Sequence, residues 1–283
     1  MVAQRSILEV INERLNSTAF RLPNYSPMAA RIQAVAQNSA ADMRQIEQAV
    51  LHDPAVAGEV LKVANSAFYA GLAKISNIGQ AIGRLGVDEI VNLVVMCTQG
   101  AEYRATHPLV NEWMGQLWKH AMGCALGARW LAERGGYRER APEAFLGGLF
   151  HDVGKLLLLK VFDELSADAD MARGLSQTLM EEVLVAQHAE QGARLLTHWN
   201  LPEVYVDIAR NHHAEKIDEC NPLAAIVRLA DLACTKVGLN LHINDTLILS
   251  ATPEAALLSM NDIAIAELEI KLEDVTQSLA RAA

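Results

Sequence analysis

The sequence lacks the features that mark disulfide-rich, cysteine-based zinc-binding or membrane-spanning proteins. Its 283 residues hold four cysteines without CxxC spacing, so neither a disulfide framework nor a cysteine-based zinc site is indicated. No uncharged apolar run approaches the roughly 20 residues that span a bilayer, and charged side chains interrupt the amino terminus. We therefore expect a cytoplasmic protein whose cysteines are buried, reduced thiols, namely Cys97, Cys124, Cys220 and Cys234.

Positive charge is also scarce. Lys and Arg number 24 against 34 Asp and Glu, which gives a formal charge of -10 and a pI near 5.4. Such a molecule repels nucleic-acid phosphates and acidic membranes. Residues 78–99 superficially resemble a helix-turn-helix, but the second helix contains neither Arg nor Lys to contact phosphates or bases. Neither nucleic acid nor a membrane is expected as a partner.

Helical periodicity runs through the whole chain, and no convincing strand pattern of alternating apolar residues occurs. The predicted fold class is all-α, and the 51% hydrophobic content is ample for a core. Gly86 and the pair Gly135 and Gly136 are typical of helix ends. Seven of the eight prolines stand where a helix can begin, namely Pro27, Pro54, Pro108, Pro142, Pro202, Pro222 and Pro253.

Three segments are predicted within a multi-helix bundle. Residues 1–100 form an amino-terminal helical subdomain, which packs on a second helical subdomain at 101–240. The polar stretch from 100 to 108 ends at a proline and marks the boundary. Residues 241–283 form a helical extension, with a turn and then an amphipathic helix that ends near Leu279.

An imidazole and a carboxylate, His151 and Asp152, lie side by side within an apolar run. An unpaired buried charge costs on the order of several kcal/mol, so this pair needs a partner. A metal ion takes a neutral imidazole and an ionised carboxylate together, whereas a His–Asp hydrogen bond closed on itself or on backbone is the alternative. The same dipeptide at His52 and Asp53 precedes Pro54 and is interpreted as a helix N-cap.

Two further histidines lie on the apolar faces of helices. His120 follows Leu117 by three residues and precedes Cys124 by four, and His188 follows Leu184 by four. A hydrogen-bonded core histidine is the alternative interpretation of each. His107, His198 and His242 lie near turns or helix ends and are assigned no role.

Asp231 and the pair His212 and His213 complete the set of candidates. Asp231 lies beside apolar positions, but it also follows Arg228 by three residues, which would suit an ordinary surface ion pair. The two histidines close a helix, where the negative end of the helix dipole alone favours them.

The alternative interpretations would all have to hold at once for these histidine and aspartate positions. A divalent metal site explains them together and is the preferred interpretation. Its ligands suit Mn, Fe, Zn, Mg or Ni without distinguishing among them, and they are numerous enough for two ions. Two ions bridged by Asp152 and a hydroxide could hydrolyse a phosphoester, with Lys155 neutralising phosphate charge. The candidate ligands are His120, His151, Asp152, His188, His212, His213 and Asp231.

The order of four of these ligands resembles the H...HD...D signature of the HD superfamily of metal-dependent phosphohydrolases: His120, His151, Asp152 and Asp231. Adding the other three histidines gives a set similar to that of the HD-GYP group. The residues after His213 contain no Gly-Tyr-Pro, which argues against cyclic-di-GMP hydrolysis.

A closer resemblance, over roughly residues 20 to 235, is to the HDOD family, the HD-related output domain of bacterial signalling proteins. It is carried by DPA at 53–55, LKVANSAFY at 61–69, ISNI at 75–78, the segment 144–158, HAEQGA at 188–193 and the segment 199–213. The resemblance implies an all-α fold and a regulatory role, often with an eroded metal site. This sequence keeps the full ligand set.

Two functions follow as hypotheses. The first is a stand-alone HDOD regulatory module with a retained HD-type metal site, which acts on a bacterial signalling protein or a ligand. The second is an active metal-dependent phosphohydrolase on a nucleotide or phosphodiester, with Asp152 and Lys155 as catalytic residues.

Overall fold

The computed structural model describes residues 7–17, 20–37, 43–69, 74–172, 174–218 and 220–280. Throughout these ranges the chain forms helices and turns without a strand, which confirms the all-α prediction. No helix in the described ranges is both long and apolar enough to cross a membrane. The α-helices are α1 (Ile7–Asn16), α2 (Pro27–Gln37), α3 (Met43–Leu51), α4 (Pro54–Ala64), α5 (Ile78–Leu85), α6 (Val87–Gln99), α7 (Pro108–Arg134), α8 (Ala141–Phe150), α9 (Val153–Ser166), α10 (Ala169–Ala172), α11 (Gln177–His198), α12 (Glu203–Asn211), α13 (Pro222–Lys236), α14 (Pro253–Leu257) and α15 (Asp262–Ala280).

The predicted helix starts and ends are confirmed. Six of the seven prolines occupy the first or second position of a helix, and Pro202 directly precedes α12. Asp53 caps α4, because its side chain accepts hydrogen bonds from the backbone N–H groups of Ala55 and Val56. Gly86 and Gly136 have φ values of 89° and 85°, a left-handed conformation that only glycine adopts without steric cost.

Helix α6 is buried along most of its length in the amino-terminal half. Its Glu89 is 2% exposed and forms an ion pair with Arg129 of α7 and a hydrogen bond with the Tyr69 hydroxyl. Asn92 donates to the carbonyl of Pro142 at 3.2 Å. This helix therefore joins the amino-terminal half to α7 and α8, unlike an exposed helix that could enter a DNA groove.

The 27-residue helix α7 is the centre of the second half and packs against α8, α13 and α15, while α9 packs against α11. Two glycines permit very close helix contacts. A Cβ at Gly148 would lie 2.4 Å from the carbonyl oxygen of Cys124, and one at Gly154 would lie 1.9 Å from that of His188. The crossings α7–α8 and α9–α11 are therefore fixed by glycine.

The closing helix predicted near the carboxyl terminus is α15, which is confirmed. It packs on α7 and on the 3-10 turn Ala67–Tyr69, where the Lys271 ammonium lies 5.3 Å from the centre of the Phe68 ring. The three predicted segments stay a prediction, and one apolar core extends across residue 100, from Ile11 to Ala209.

The cysteines differ in burial. Cys124 and Cys234 are buried, as predicted, and Cys97 is half-buried. The prediction is wrong for Cys220, which is exposed in the short connection between α12 and α13.

Candidate metal centre

The turn between α8 and α9 places His151 and Asp152 at the centre of the second half. The backbone N–H of His151 still donates to the carbonyl of Gly147 at 3.0 Å, so the turn continues directly from α8. His120 projects from the middle of α7 and His188 from α11, and both are buried. The predicted inward orientation of these two histidines is confirmed.

A first group of donor atoms lies between α7, the α8–α9 turn and α13. The Nε2 atom of His120 lies 3.3 Å from Nε2 of His151 and 3.3 Å from Oδ1 of Asp231. The Sγ atom of Cys124 joins this group, in which all donor atoms lie within 4.8 Å of one another. We call these four residues the first half-site.

A second group lies beside α11 and the end of α12. Nε2 of His188 and Nε2 of His212 are 3.2 Å apart, and each faces Oδ1 of Asp152, at 3.4 and 3.5 Å. The ring of His213 lies tilted against the ring of His212, with a centroid distance of 4.0 Å. Asp152, His188, His212 and His213 form the second half-site, whose donor atoms also lie within 4.8 Å of one another.

Asp152 lies between the two half-sites. Its Oδ2 is 3.3 Å from Nε2 of His120 and 3.5 Å from Nε2 of His151, whereas its Oδ1 faces the second half-site. The ammonium of Lys155 lies 2.6 Å from the same Oδ2. One carboxylate therefore faces both halves, and Lys155 is engaged with that carboxylate.

Backbone carbonyls fix the tautomer of four histidines. Because a carbonyl only accepts, each Nδ1 must carry a proton, and Nε2 of a neutral ring presents a lone pair to the centre. Neither close Nε2 pair can then hydrogen-bond without a further proton or a cation between the rings. The Nδ1 partners are Leu239 for His120 at 3.0 Å, Gly148 for His151 at 2.8 Å, Leu184 for His188 at 2.6 Å and Ala209 for His212 at 2.8 Å.

Asp152 provides a second indication that the residues fit a metal ion. Its Oδ1 atom is buried and has no hydrogen-bond partner among the described residues. Buried carboxylate oxygens are normally satisfied, so an unpaired one at the meeting point of imidazole lone pairs is typical of a metal-ligand set.

The pKa values reflect burial and the two carboxylates. Burial lowers the pKa of His151 to about 3 and that of His188 to about 4, which keeps both rings neutral. Burial also opposes protonation of His120, but hydrogen bonds with Asp152 and Asp231 outweigh it and raise its pKa to about 10. A proton and a metal ion therefore compete for Nε2 of His120.

Burial likewise acts against the charged forms of the remaining groups, yet the local charges prevail. The Lys155 ammonium and the neighbouring histidines hold the pKa of Asp152 well below its usual range. Asp152 in turn raises the pKa of Lys155 despite burial. Burial raises the pKa of the Cys124 thiol well above its usual value.

Three residues connect the centre to solvent. His213 is exposed, and the side chains of Asp231 and Lys155 are 15% and 14% exposed. All seven predicted ligands lie in the two half-sites, and Lys155 lies beside them. The surface-pair interpretation of Asp231 is wrong, because Arg228 instead binds Glu254 at 2.8 Å.

Sequence reasoning missed Cys124 as a potential donor. It considered cysteines only as CxxC pairs, whereas Cys124 lies one helical turn after His120. The spacing of four residues was the available signal. The fold and the donor set together describe an all-α protein with a buried, two-part cluster of histidine and aspartate donors.

The HDOD domain family model matches residues 22–215, so the chain belongs to the HDOD family. An uncharacterised protein of Treponema pallidum (strain Nichols) is 26% identical over 220 residues, which are 75% of this chain and 42% of that protein. The chain thus spans less than half the length of this curated relative.

Two crystal structures share the fold. An HDOD domain protein of unknown function from Geobacter sulfurreducens is 22% identical, with a TM-score of 0.69 over 97% of this chain and 95% of its own. A provisionally named metal-dependent phosphohydrolase from Shewanella amazonensis SB2B is 18% identical, with a TM-score of 0.72 over 95% and 97%. At these identities the likeness concerns the fold alone.

Proposed function

We propose that this chain is a regulatory module of bacterial signal transduction in the cytoplasm that retains a divalent metal centre. It acts by binding a protein partner or a ligand. The observation that carries the proposal is the convergence of four imidazole Nε2 atoms on Asp152, with each Nδ1 held by a backbone carbonyl. Such outer contacts orient metal ligands in proteins.

The charges of the centre support an anionic ligand. Asp152 and Asp231 contribute two negative charges and Lys155 one positive charge, whereas an imidazole that binds an ion through its Nε2 lone pair contributes none. One divalent ion in each half-site would leave an excess of positive charge in a buried space, which an anion must balance. A nucleotide or another phosphodiester provides that charge, and the exposed His213 marks where it would enter.

Occupation of the centre would also stabilise the fold. The donors come from α7, the α8–α9 turn, α11, the end of α12 and α13, so an ion ties these segments together. A ligand that binds only the folded state at 100 times its Kd adds about 2.7 kcal/mol to the free energy of unfolding. Metal binding would thereby change the rigidity of the surface that a partner meets.

The test is metal content by elemental mass spectrometry, on untagged protein purified without chelator. Asp152→Asn keeps the side-chain shape but removes the bridging charge, and it should lose the metal and the metal-dependent rise in thermal stability. Asp207→Asn on the exposed face of α12 is the matched control and should keep both. Wild-type protein without metal, and without stabilisation by Mn, Fe, Ni or Zn, would refute the proposal.

A second candidate function is phosphoester hydrolysis, favoured by the position of the Lys155 ammonium, 2.6 Å from Asp152 and partly open to solvent. Divalent ions in such a centre supply Lewis acidity and a strong oxygen nucleophile at neutral pH. Asp152 would hold both half-sites, and Lys155 would stabilise negative charge on the phosphoryl group.

Metal-loaded protein separates the two functions. The regulatory proposal expects no turnover of an aryl phosphodiester or a nucleotide panel. Turnover that Asp152→Asn abolishes and Lys155→Gln reduces would replace it with the hydrolase. Asp207→Asn serves as the control here too.

A further inference from the structure

The solvent-facing side of α15 carries a row of apolar side chains. Ile263 and Ile270 are 68% and 60% exposed, and the exposed Ala266 lies between them. Their spacing of three and then four residues places all three on one side of the helix, with the isoleucines about 10 Å apart along its axis. The same spacing separates successive a, d and a positions of a coiled coil. We call these three residues the outer row.

The opposite face of α15 is held against α7. Leu268 and Leu272 are fully buried, and a Cβ added at Gly127 of α7 would lie 3.6 Å from the first and 3.5 Å from the second. A rotation of α15 that buried the outer row would expose both leucines to water, which is unfavourable. The outer row therefore stays at the surface of the chain.

Acidic side chains border the outer row on both sides. In the coiled-coil register that makes the two isoleucines a positions, every e and g position within residues 262–274 is acidic, namely Glu267 and Asp274 at e, and Asp262 and Glu269 at g. Side chains at e and g form the ion pairs that select the partner of a coiled coil. A helix that packs on the outer row therefore needs positive charge along both edges of its own apolar face.

Some of these carboxylates already have a cation and others do not. Glu267 lies 3.6 Å from Arg134, and Glu269 lies 2.7 Å from Lys236. Among the described residues, no ion pair involves Asp262 or Asp274, nor Glu273 at the second d position. These three carboxylates remain available to the cations of a partner.

We infer that the outer row of α15 is the docking surface for an amphipathic helix of the protein partner, with Lys or Arg along both edges of its apolar face. A second copy of this chain would bring acidic edges against acidic edges, and such like-charge contacts are unfavourable. The formal charge of -10 also attracts a basic partner at long range. The inference rests on the proposed regulatory function, to which it adds the docking surface and the chemistry of the partner.

The experiment measures the binding of a synthetic peptide to the purified chain by fluorescence anisotropy. The labelled peptide is an amphipathic helix about three heptads long, with Leu at a and d and Lys at e and g, so that its own charges oppose self-pairing. One control peptide carries Glu in place of Lys, and another has the same composition in scrambled order. We expect the Lys peptide to bind at least about 10-fold more tightly than either control, and its binding to weaken as salt is added.

Variants of exposed residues locate the peptide on the chain. Ile270→Ser removes an apolar contact from the outer row and should weaken binding by about 10-fold, as expected for an anchor residue of an interface. Asp274→Lys reverses the charge at one edge and should also weaken binding. Val185→Ser is the matched control, because Val185 is 66% exposed on α11, and it should bind the peptide as wild type does.

Three results would overturn the docking surface: no binding of the Lys peptide, equal binding of the scrambled peptide, or binding that Ile270→Ser and Asp274→Lys leave unchanged. Self-association of the chain that Ile270→Ser abolishes would also overturn it, because a second copy would then cover the outer row. Metal content of the same samples separates this failure from that of the proposed centre. Metal without peptide binding removes the docking surface alone, whereas peptide binding by a chain that takes up no metal removes the centre alone.

Discussion

Replacement of Gly154 by alanine tests whether the close contact of α9 with α11 positions the metal centre. The added Cβ would lie 1.9 Å from the carbonyl oxygen of His188 and 2.5 Å from the backbone nitrogen of Gly192. Both atoms belong to the backbone, so no side chain can rotate away. Restoring an ordinary contact of at least 3.4 Å requires the helices to separate by about 1.5 Å.

That displacement has two consequences. Overpacking of a well-packed core costs about 1–3 kcal/mol, and alanine returns about 0.5–1 kcal/mol through its helix propensity. The net loss in free energy of unfolding should be about 1 kcal/mol, and about 2.5 kcal/mol at most. Asp152 lies two residues before Gly154, and metal–ligand distances tolerate only about 0.2 Å, so the ion proposed for the second half-site should no longer bind.

The assay is urea denaturation with and without chelator, together with metal content. Gly115→Ala is the control, because that glycine lies on α7 with nothing within 4 Å of an added Cβ. It should gain about 0.5–1 kcal/mol and keep its metal. If Gly154→Ala kept both its metal and its stability to within about 0.5 kcal/mol, the close contact would not position the centre.

Three further predictions concern stability in urea denaturation. Arg129→Met leaves the buried carboxylate of Glu89 without its ion-pair partner and should lower the free energy of unfolding by about 3–5 kcal/mol. Adding Glu89→Gln in the same chain should restore most of this loss. A loss below about 1 kcal/mol would contradict the buried ion pair. Asn65→Ala removes two hydrogen bonds that its side chain makes with the backbone of Ile75, and should cost about 1–3 kcal/mol. Asp53→Ala removes the cap of α4 and should cost about 1 kcal/mol, whereas Asp53→Asn should be near neutral.

Local patterns predicted the helices and the inward histidines well. A proline at a helix start can be recognised from the residues of that helix alone. The inward orientation of His120 follows from its spacing from Leu117 within one helical turn. The convergence of five segments depends on tertiary packing, such as Gly148 against the backbone of Cys124. The spacing of residues along the chain does not indicate such a contact between helices. The division of the donors into two half-sites could therefore not be predicted from the sequence.

For Asp231 the sequence left two interpretations open, a metal ligand and an ion pair with Arg228. Arg228 lies one turn before it and would suit an ion pair, but the guanidinium instead binds Glu254 of α14 and the carbonyl of Ala214. The choice between a near and a distant partner depends on where α14 packs. The exposure of Cys220 has the same origin, because it depends on the path of a connection with no helical periodicity.

Helix α7 carries His120 near its middle and Arg129 near its carboxyl end, where Arg129 pairs with Glu89 of α6. A helix of 27 residues is about 40 Å long. Because hydrogen bonds connect its successive turns, a movement of one end along the helix axis also moves the residues at its middle. A shift of even half an ångström at the Arg129 end would exceed the tolerance of metal bonds at His120. By reciprocity, an ion bound at the proposed centre would hold His120 and, through α7, also the position of Glu89, so α7 would couple the amino-terminal helices to the proposed metal centre.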